Sequence, residues 1–249
     1  MIHETLQIEK LNLNKFNFYL TEVRRNLIYI MSFFLAIFVA LAPFSQKIYS
    51  FLAEPLQKIL PAHAHMIATD ITSTFVAPFK LVFFVTVLLL IPIIFFRIYV
   101  FLKEALYIQE KKAIFLFLFV STFLFYSGVF LGYFLVLPVV LHFFVGVSPD
   151  TVVPMTDINQ YLIFCMKFFM VLGLVFQLPL LIVVLIYFNV LSIETLSNKR
   201  AYAIVVSFFI AMFITPPDIF SMAVAGTFIY ILFELGLLLA QLLMHYRKL

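Results

Sequence analysis

Ala113–Phe144 runs for 32 residues without an Asp, Glu, Lys or Arg. A helix needs about 20 apolar residues to cross a ~30 Å hydrocarbon core, so this segment exceeds one perpendicular crossing. It is expected to form one long tilted helix, bent or ended near Pro138, because proline removes a backbone donor and crowds the preceding turn. The whole chain has the same character: 65% of its 249 residues are hydrophobic, 11% are charged and 34 are phenylalanine. Soluble domains sit near 45–50% apolar and about 25% charged. The chain therefore reads as an integral membrane protein. A soluble enzyme, a disordered regulator and a nucleic-acid-binding domain are excluded on composition. The single cysteine, Cys165, leaves no intramolecular disulfide framework and too few thiolates for a Cys-based zinc site.

Further spans follow from the same rule. Leu27–Phe44 is uncharged over 18 residues, and Phe75–Phe96 is interrupted only by Lys80, whose long stem can carry its charge to the interface. Tyr161–Val190 contains Lys167 and Pro179. The last hydrophobic block, Ala201–Met244, is broken by Pro216-Pro217-Asp218, and paired prolines bias Thr215 away from helix. It is expected to form a hairpin of Ala201–Thr215 and Ile219–Met244. The first arm has 15 residues and reaches only about 22 Å, too short for a full bilayer. The expected fold class is all-α: a polytopic membrane protein with six transmembrane helices, the fifth and sixth short. The spans are about 27–44, 75–96, 113–144, 161–190, 201–215 and 219–244 of a single domain, preceded by a cytoplasmic amphipathic segment over 1–26.

With the N-terminus placed in the cytoplasm, the cytoplasmic segments hold Lys10, Lys15, Arg24, Arg25, Arg97, Lys103, Lys111, Lys112, Lys199, Arg200, Arg247 and Lys248. The opposite side holds Lys47, Lys58 and Lys80. Twelve against three is a strong positive-inside bias and puts both termini in the cytoplasm. Arg24-Arg25, an apolar stretch and Ala40-Leu41-Ala42 together imitate a cleavable signal peptide. The apolar stretch is longer than the usual 7–15 residues and a polar helix precedes it, so it is read as the first span.

Two cytoplasmic segments place acids beside aromatic residues. Glu22 lies in the amphipathic segment with Phe16, Phe18 and Tyr19, and Glu104 and Glu110 lie in the next loop with Phe101 and Tyr107. The nearby arginines are explained by topology alone, but acids contribute little to topology. Carboxylates next to aromatic faces suit a guanidinium ligand through bidentate pairing. On the other side, Ile48–Leu60 should form a short capping helix, and Val145–Gln160 should be ordered turn structure. His63 and His65 stand two apart in a loop with no obvious third ligand, which makes no metal site. Within the bilayer, Lys167, Gln177 and Glu234 are functional candidates because buried polar groups are costly there. Depth counting separates Lys167 from Glu234 and places Gln177 level with Glu234, so a Gln177–Glu234 hydrogen bond is geometrically open. A near-interface position at a tilted helix end serves Glu234 equally well. No proton-relay chain, phosphate loop or nucleophilic set appears, so no catalytic residue and no cofactor is expected.

From about Phe18 to Leu243 the chain resembles the TatC family, the multispanning receptor of the twin-arginine protein translocase. The resemblance is carried by Leu20-Thr21-Glu22-Val23-Arg24-Arg25; Met66-Ile67-Ala68-Thr69-Asp70; Ala105-Leu106-Tyr107 with Glu110-Lys111-Lys112; Phe125-Tyr126 with Gly132-Tyr133-Phe134; Phe176-Gln177-Leu178-Pro179; and Thr215-Pro216-Pro217-Asp218. The order of these pieces, together with an undersized fifth span, is more specific than any one of them.

The resemblance implies a core receptor in the bacterial inner (cytoplasmic) membrane that binds the paired arginines of signal peptides on folded cargo. Glu22 and Glu110 match the family's binding acids, Phe101 a loop aromatic and Arg24 the first arginine of the N-terminal motif. It also implies that the single-span partners TatB and TatA dock on the short fifth helix, where Met212 and Thr215 match contact positions. Other implications are a functional outer turn at Pro216, Pro217 and Asp218, a homo-oligomer in the complex, surrounding membrane lipid, and energy from the proton-motive force. Asp218 also opens the sixth helix, where a capping role explains it without any ligand. Two departures stand out. Gln177 replaces a family glutamate and cannot ionise, and Glu104-Ala105 replaces the usual Pro-Gly or Pro-Ala. Two rival readings are a proton- or ion-coupled secondary transporter, which would want internal repeats with paired broken helices, and an assembly scaffold in which Glu22 and Glu110 are dispensable.

Overall fold

The computed structural model describes residues 2–59, 66–68, 71–103, 108–147, 156–215 and 219–248. Side chains at 2–19, 71, 73, 74, 102, 108–110, 147, 214, 220 and 246–248 fall outside the description. Helix α1 (Ile2–Leu41) turns through a 3-10 segment, Ala42–Phe44, into α2 (Ser45–Ile59). Then come α3 (Ile71–Leu102), α4 (Ile108–Leu131), a π turn over Gly132–Val136 and α5 (Leu137–Val147). The chain continues with α6 (Ile158–Val175), α7 (Leu178–Tyr187), α8 (Ile193–Asn198), α9 (Arg200–Ile214) and α10 (Ile219–Lys248). Among the described residues five segments are long and apolar enough to cross a membrane, and α9, with 15 residues, is the undersized helix expected. The expectation of a short sixth helix is corrected: α10 has 30 residues, because nothing after Asp218 breaks its apolar run. The protein is an all-helical, multi-pass membrane protein.

Proline placement explains how the long helices stay intact. Pro92 lies inside α3 and cannot donate to the carbonyl of Leu88, four residues earlier. The Tyr126 hydroxyl on α4 donates to that carbonyl at 2.9 Å. Pro55 inside α2 likewise frees the carbonyl of Phe51, and the Tyr133 hydroxyl donates to it at 2.8 Å. In lipid an orphaned backbone group costs several kcal/mol, roughly, so a donor from a neighbouring helix is what makes each proline tolerable. Pro138 is accommodated differently. A π turn, the kind of irregularity at which helices kink, ends just ahead of it where a bend or an end was expected.

The core is built at the α2 end of the bundle, where Leu52, Leu56, Leu81, Leu137, Leu162 and Phe169 pack together. Here α2 is the expected capping helix, and Tyr161 donates to the Leu52 carbonyl at 2.9 Å. An isolated bridge joins Ile67 to Asp157, and Asp157 caps α6 by accepting from the Gln160 N–H at 2.9 Å. Residues 148–155, most of the loop expected to be ordered turn structure, lie outside the described residues. Between α4 and α6 the contact is reciprocal. A Cβ at Gly173 would lie 2.5 Å from the Phe125 ring, and one at Gly128 would lie 2.7 Å from Phe176. Helix α10 approaches α7 closely enough that a Cβ at Gly236 would sit 2.8 Å from the Pro179 Cα. Asn189 closes α7 at φ 57°, the left-handed position that asparagine tolerates.

Candidate functional site

Residues 20–29 of α1 are nearly all exposed, with two exceptions: Glu22 at 6% and Asn26 at 8% exposure. They stand one turn apart, so α1 turns one narrow polar stripe inward. The Glu22 carboxylate accepts from Arg25, whose guanidinium sits 2.5 Å away on the outer rim. The Asn26 Oδ1 is buried with no hydrogen-bond partner among the described residues. Arg24 is exposed, with no ion pair among the described residues.

One turn further along α1, the Arg97 guanidinium of α3 lies over the Tyr29 ring, 4.0 Å from its centroid. This contact aligns the Glu22 region of α1 with the last turns of α3. Phe101 is half-buried in those turns, and Tyr99 meets Phe115 of α4 edge to face at 5.4 Å. Glu110 is the third residue of α4, close to the α3–α4 connection, and its side chain lies outside the described residues. So do Glu104 and Tyr107. The fold thus brings the backbone carriers of Glu22, Phe101 and Glu110 to one end of the bundle. It combines a buried carboxylate already holding a guanidinium, an unpaired amide oxygen and aromatic faces.

The intramembrane candidates separate. Gln177 sits in the break between α6 and α7 and pairs reciprocally with α4. The Ser121 hydroxyl donates to Gln177 Oε1 at 2.7 Å, and Gln177 Nε2 donates to the Ser121 carbonyl at 2.9 Å. The Gln177–Glu234 hydrogen bond left open by the depth count does not form, because Gln177 turns toward α4 whereas Glu234 turns toward α9. Glu234 Oε1 lies 2.9 Å from Arg200 Nε, and the Tyr230 hydroxyl donates to the same carboxylate at 2.7 Å. The register of the hairpin explains this. Arg200 opens α9 and Glu234 lies 15 residues into α10, one α9 length from the turn and in the middle of that 30-residue helix. Lys167 is exposed on α6 and makes no contact with Glu234.

Thr215 ends α9 in extended conformation, φ −95° and ψ 152°, as expected before Pro216, and its hydroxyl donates to the Ala211 carbonyl at 3.0 Å. Met212 is exposed on a face shared with Val205, Phe209 and Phe213. Pro216, Pro217 and Asp218, and likewise His63 and His65, lie outside the described residues. Tyr126 and Tyr133 were quoted above for their place in a motif, but their role as donors to proline-freed carbonyls was missed. The signal for it was present in the four-residue offsets of Leu88 from Pro92 and Phe51 from Pro55.

Residues 18–227 match the family model described as Sec-independent protein translocase protein (TatC). The chain is similar to the "Sec-independent protein translocase protein TatC" of Haemophilus influenzae, 41% identical over 90% of this chain and 87% of the relative. The protein of that name from Escherichia coli K12 is 37% identical over 90% and 86%. A crystal structure of "Twin Arginine Translocase Receptor- TatC" superposes with a TM-score of 0.77 at 28% identity, covering 90% of this chain and 98% of the other.

Proposed function

The chain belongs to the TatC family of Sec-independent protein translocase components, which are not enzymes, and from that premise we propose that it is the receptor that binds twin-arginine signal peptides of folded cargo. The observation that carries this reading is Glu22: a carboxylate 6% exposed that nevertheless holds an arginine. A buried acid is stable only when paired, and Arg25 serves as the resident partner of Glu22. An incoming guanidinium replaces it with little change in desolvation, and Arg25, at 60% exposure, is released to water. The half-buried Phe101 adds an aromatic side chain beside this end of the bundle, and the Tyr29 ring there already carries the Arg97 guanidinium. Glu110, third in α4, is the second acid of the site. Lysine has a point charge without the planar fork and fits such a site less well.

The remaining parts of the reading follow the same logic. The arginine- and lysine-rich end is cytoplasmic, with six crossings and both termini on that side of the inner membrane. The apolar face of α9 carrying Met212, with Thr215 at its end, is the docking surface for the single-span subunits TatA and TatB. At 15 residues, α9 spans about 22 Å and thins the bilayer locally. The outer turn at Pro216, Pro217 and Asp218 joins the short helix to α10, and transport is driven by the proton-motive force.

The test is binding of a twin-arginine signal peptide to the purified protein in detergent, against the twin-lysine peptide and a Glu22→Ala, Glu110→Ala variant. Tight binding that requires both the arginines and the acids is expected. Equal binding in all combinations would remove the acids from recognition.

A further inference from the structure

Lys80 and Lys167 both lie outside the receptor reading, and Lys80 lines a groove that α6 closes on one side. Lys80 on α3 lines a lipid-facing cleft between α1, α3 and α6 together with Phe38, Phe83, Val87, Met166 and Met170. Its volume is about 580 Å³. The Lys80 ammonium donates one hydrogen bond to Asn159 Oδ1 at 3.2 Å, leaving two donors free. Lys167 does not line the groove, but it is three residues from the lining Met170 and stands on the adjacent exposed face of α6. It lies nine residues into α6, about 14 Å from the helix start, and is exposed. Among the described residues neither lysine is paired with a carboxylate, and no acid lines the groove.

A charged side chain at that depth on a lipid-facing surface is costly unless it reaches the interface or meets an anion. The groove itself indicates which anion. Transmembrane helices pack through small residues that let backbones approach, whereas this cleft is walled by phenylalanine, methionine and valine. Such walls suit a flexible hydrocarbon chain, and basic groups at the mouth of an apolar cleft suit a phosphate headgroup.

We propose that the α1–α3–α6 groove binds an anionic phospholipid of the leaflet in which α3 and α6 begin, one acyl chain lying along Phe38, Phe83 and Met170 and the phosphate held by Lys80 and Lys167. The site is independent of Glu22 and Arg25 and places a lipid beside α1, the helix that carries the receptor acid.

Native mass spectrometry of the full chain, released from detergent after incubation with phosphatidylglycerol or phosphatidylcholine, tests this. One phosphatidylglycerol should be retained in preference to phosphatidylcholine, and Lys167→Gln and Lys80→Gln should each weaken its retention about fivefold. Lys167→Arg, which keeps the charge, should retain the lipid, and Lys47→Gln, away from the groove, should leave retention unchanged. Equal retention of both lipids, or phosphatidylglycerol retention untouched by the groove substitutions, would overturn the proposal. Lysine-dependent binding of inorganic phosphate with no preference between the lipids would overturn it too. Cross-linking of Lys167 to a second polypeptide in membranes, without lysine-dependent lipid, would assign the groove to a protein acid instead.

Discussion

The tyrosine hydroxyls on Leu88 and Phe51 show how single side chains decide whether an apolar helix can contain a proline. Tyr126→Phe should lower stability by about 1–3 kcal/mol, the cost of a buried carbonyl left without a donor. In a Pro92→Leu background the Leu88 carbonyl regains its own helix donor, so the same substitution should cost little. A double-mutant cycle on thermal stability measures this coupling, and additive effects would contradict it. The offset of Leu88 from Pro92 was legible in the sequence, but the donor was not, because it comes from a helix 38 residues away. Gln177 carries the same lesson. Counting residues gave its depth and not its direction around the helix, and the direction selected Ser121 over Glu234. Gln177→Ala, which removes both bonds to Ser121, should lower the melting temperature, while Glu234→Gln, which retains a partner for Tyr230, should change it less. A larger loss from Glu234→Gln would reverse that ranking.

Helices were readable because hydropathy and proline spacing are local properties. The short α9, the extended Thr215 and the π turn before Pro138 all follow from neighbours within a few residues. The close approach of α10 to α7 was not readable, since Gly236 gains its meaning only from the Pro179 backbone facing it. Gly236→Ala should cost about 1–3 kcal/mol, because backbone cannot yield to the added methyl group as a side chain can. Gly226→Ala meets only the Phe208 ring, at 3.0 Å, and should cost less. Comparing the two melting temperatures checks the ranking. The proposed receptor acid divides in the same way: charge logic selected Glu22, but its burial depends on how α1 lies along α3, which residue types alone do not reveal.

Across the whole molecule, the proposed orientation puts twelve basic residues on the cytoplasmic side against three on the other. Cys165 is fully buried, so single-cysteine variants can be read against a silent background. A membrane-impermeant maleimide added to intact cells should label Gln57→Cys on α2, and should reach Lys199→Cys at the α8–α9 junction only after the membrane is opened. The reverse pattern would invert the topology and put Glu22 on the wrong side for a cytoplasmic ligand. The receptor role rests on whether that buried carboxylate reads arginine. The most direct measurement is a binding cycle that crosses Glu22→Gln with replacement of the signal peptide's two arginines by lysines. The account predicts that each change alone weakens binding at least about tenfold and that the two together do little more, because they remove the same contact. Losses that simply add would mean that Glu22 and the arginine pair act separately, and would contradict it.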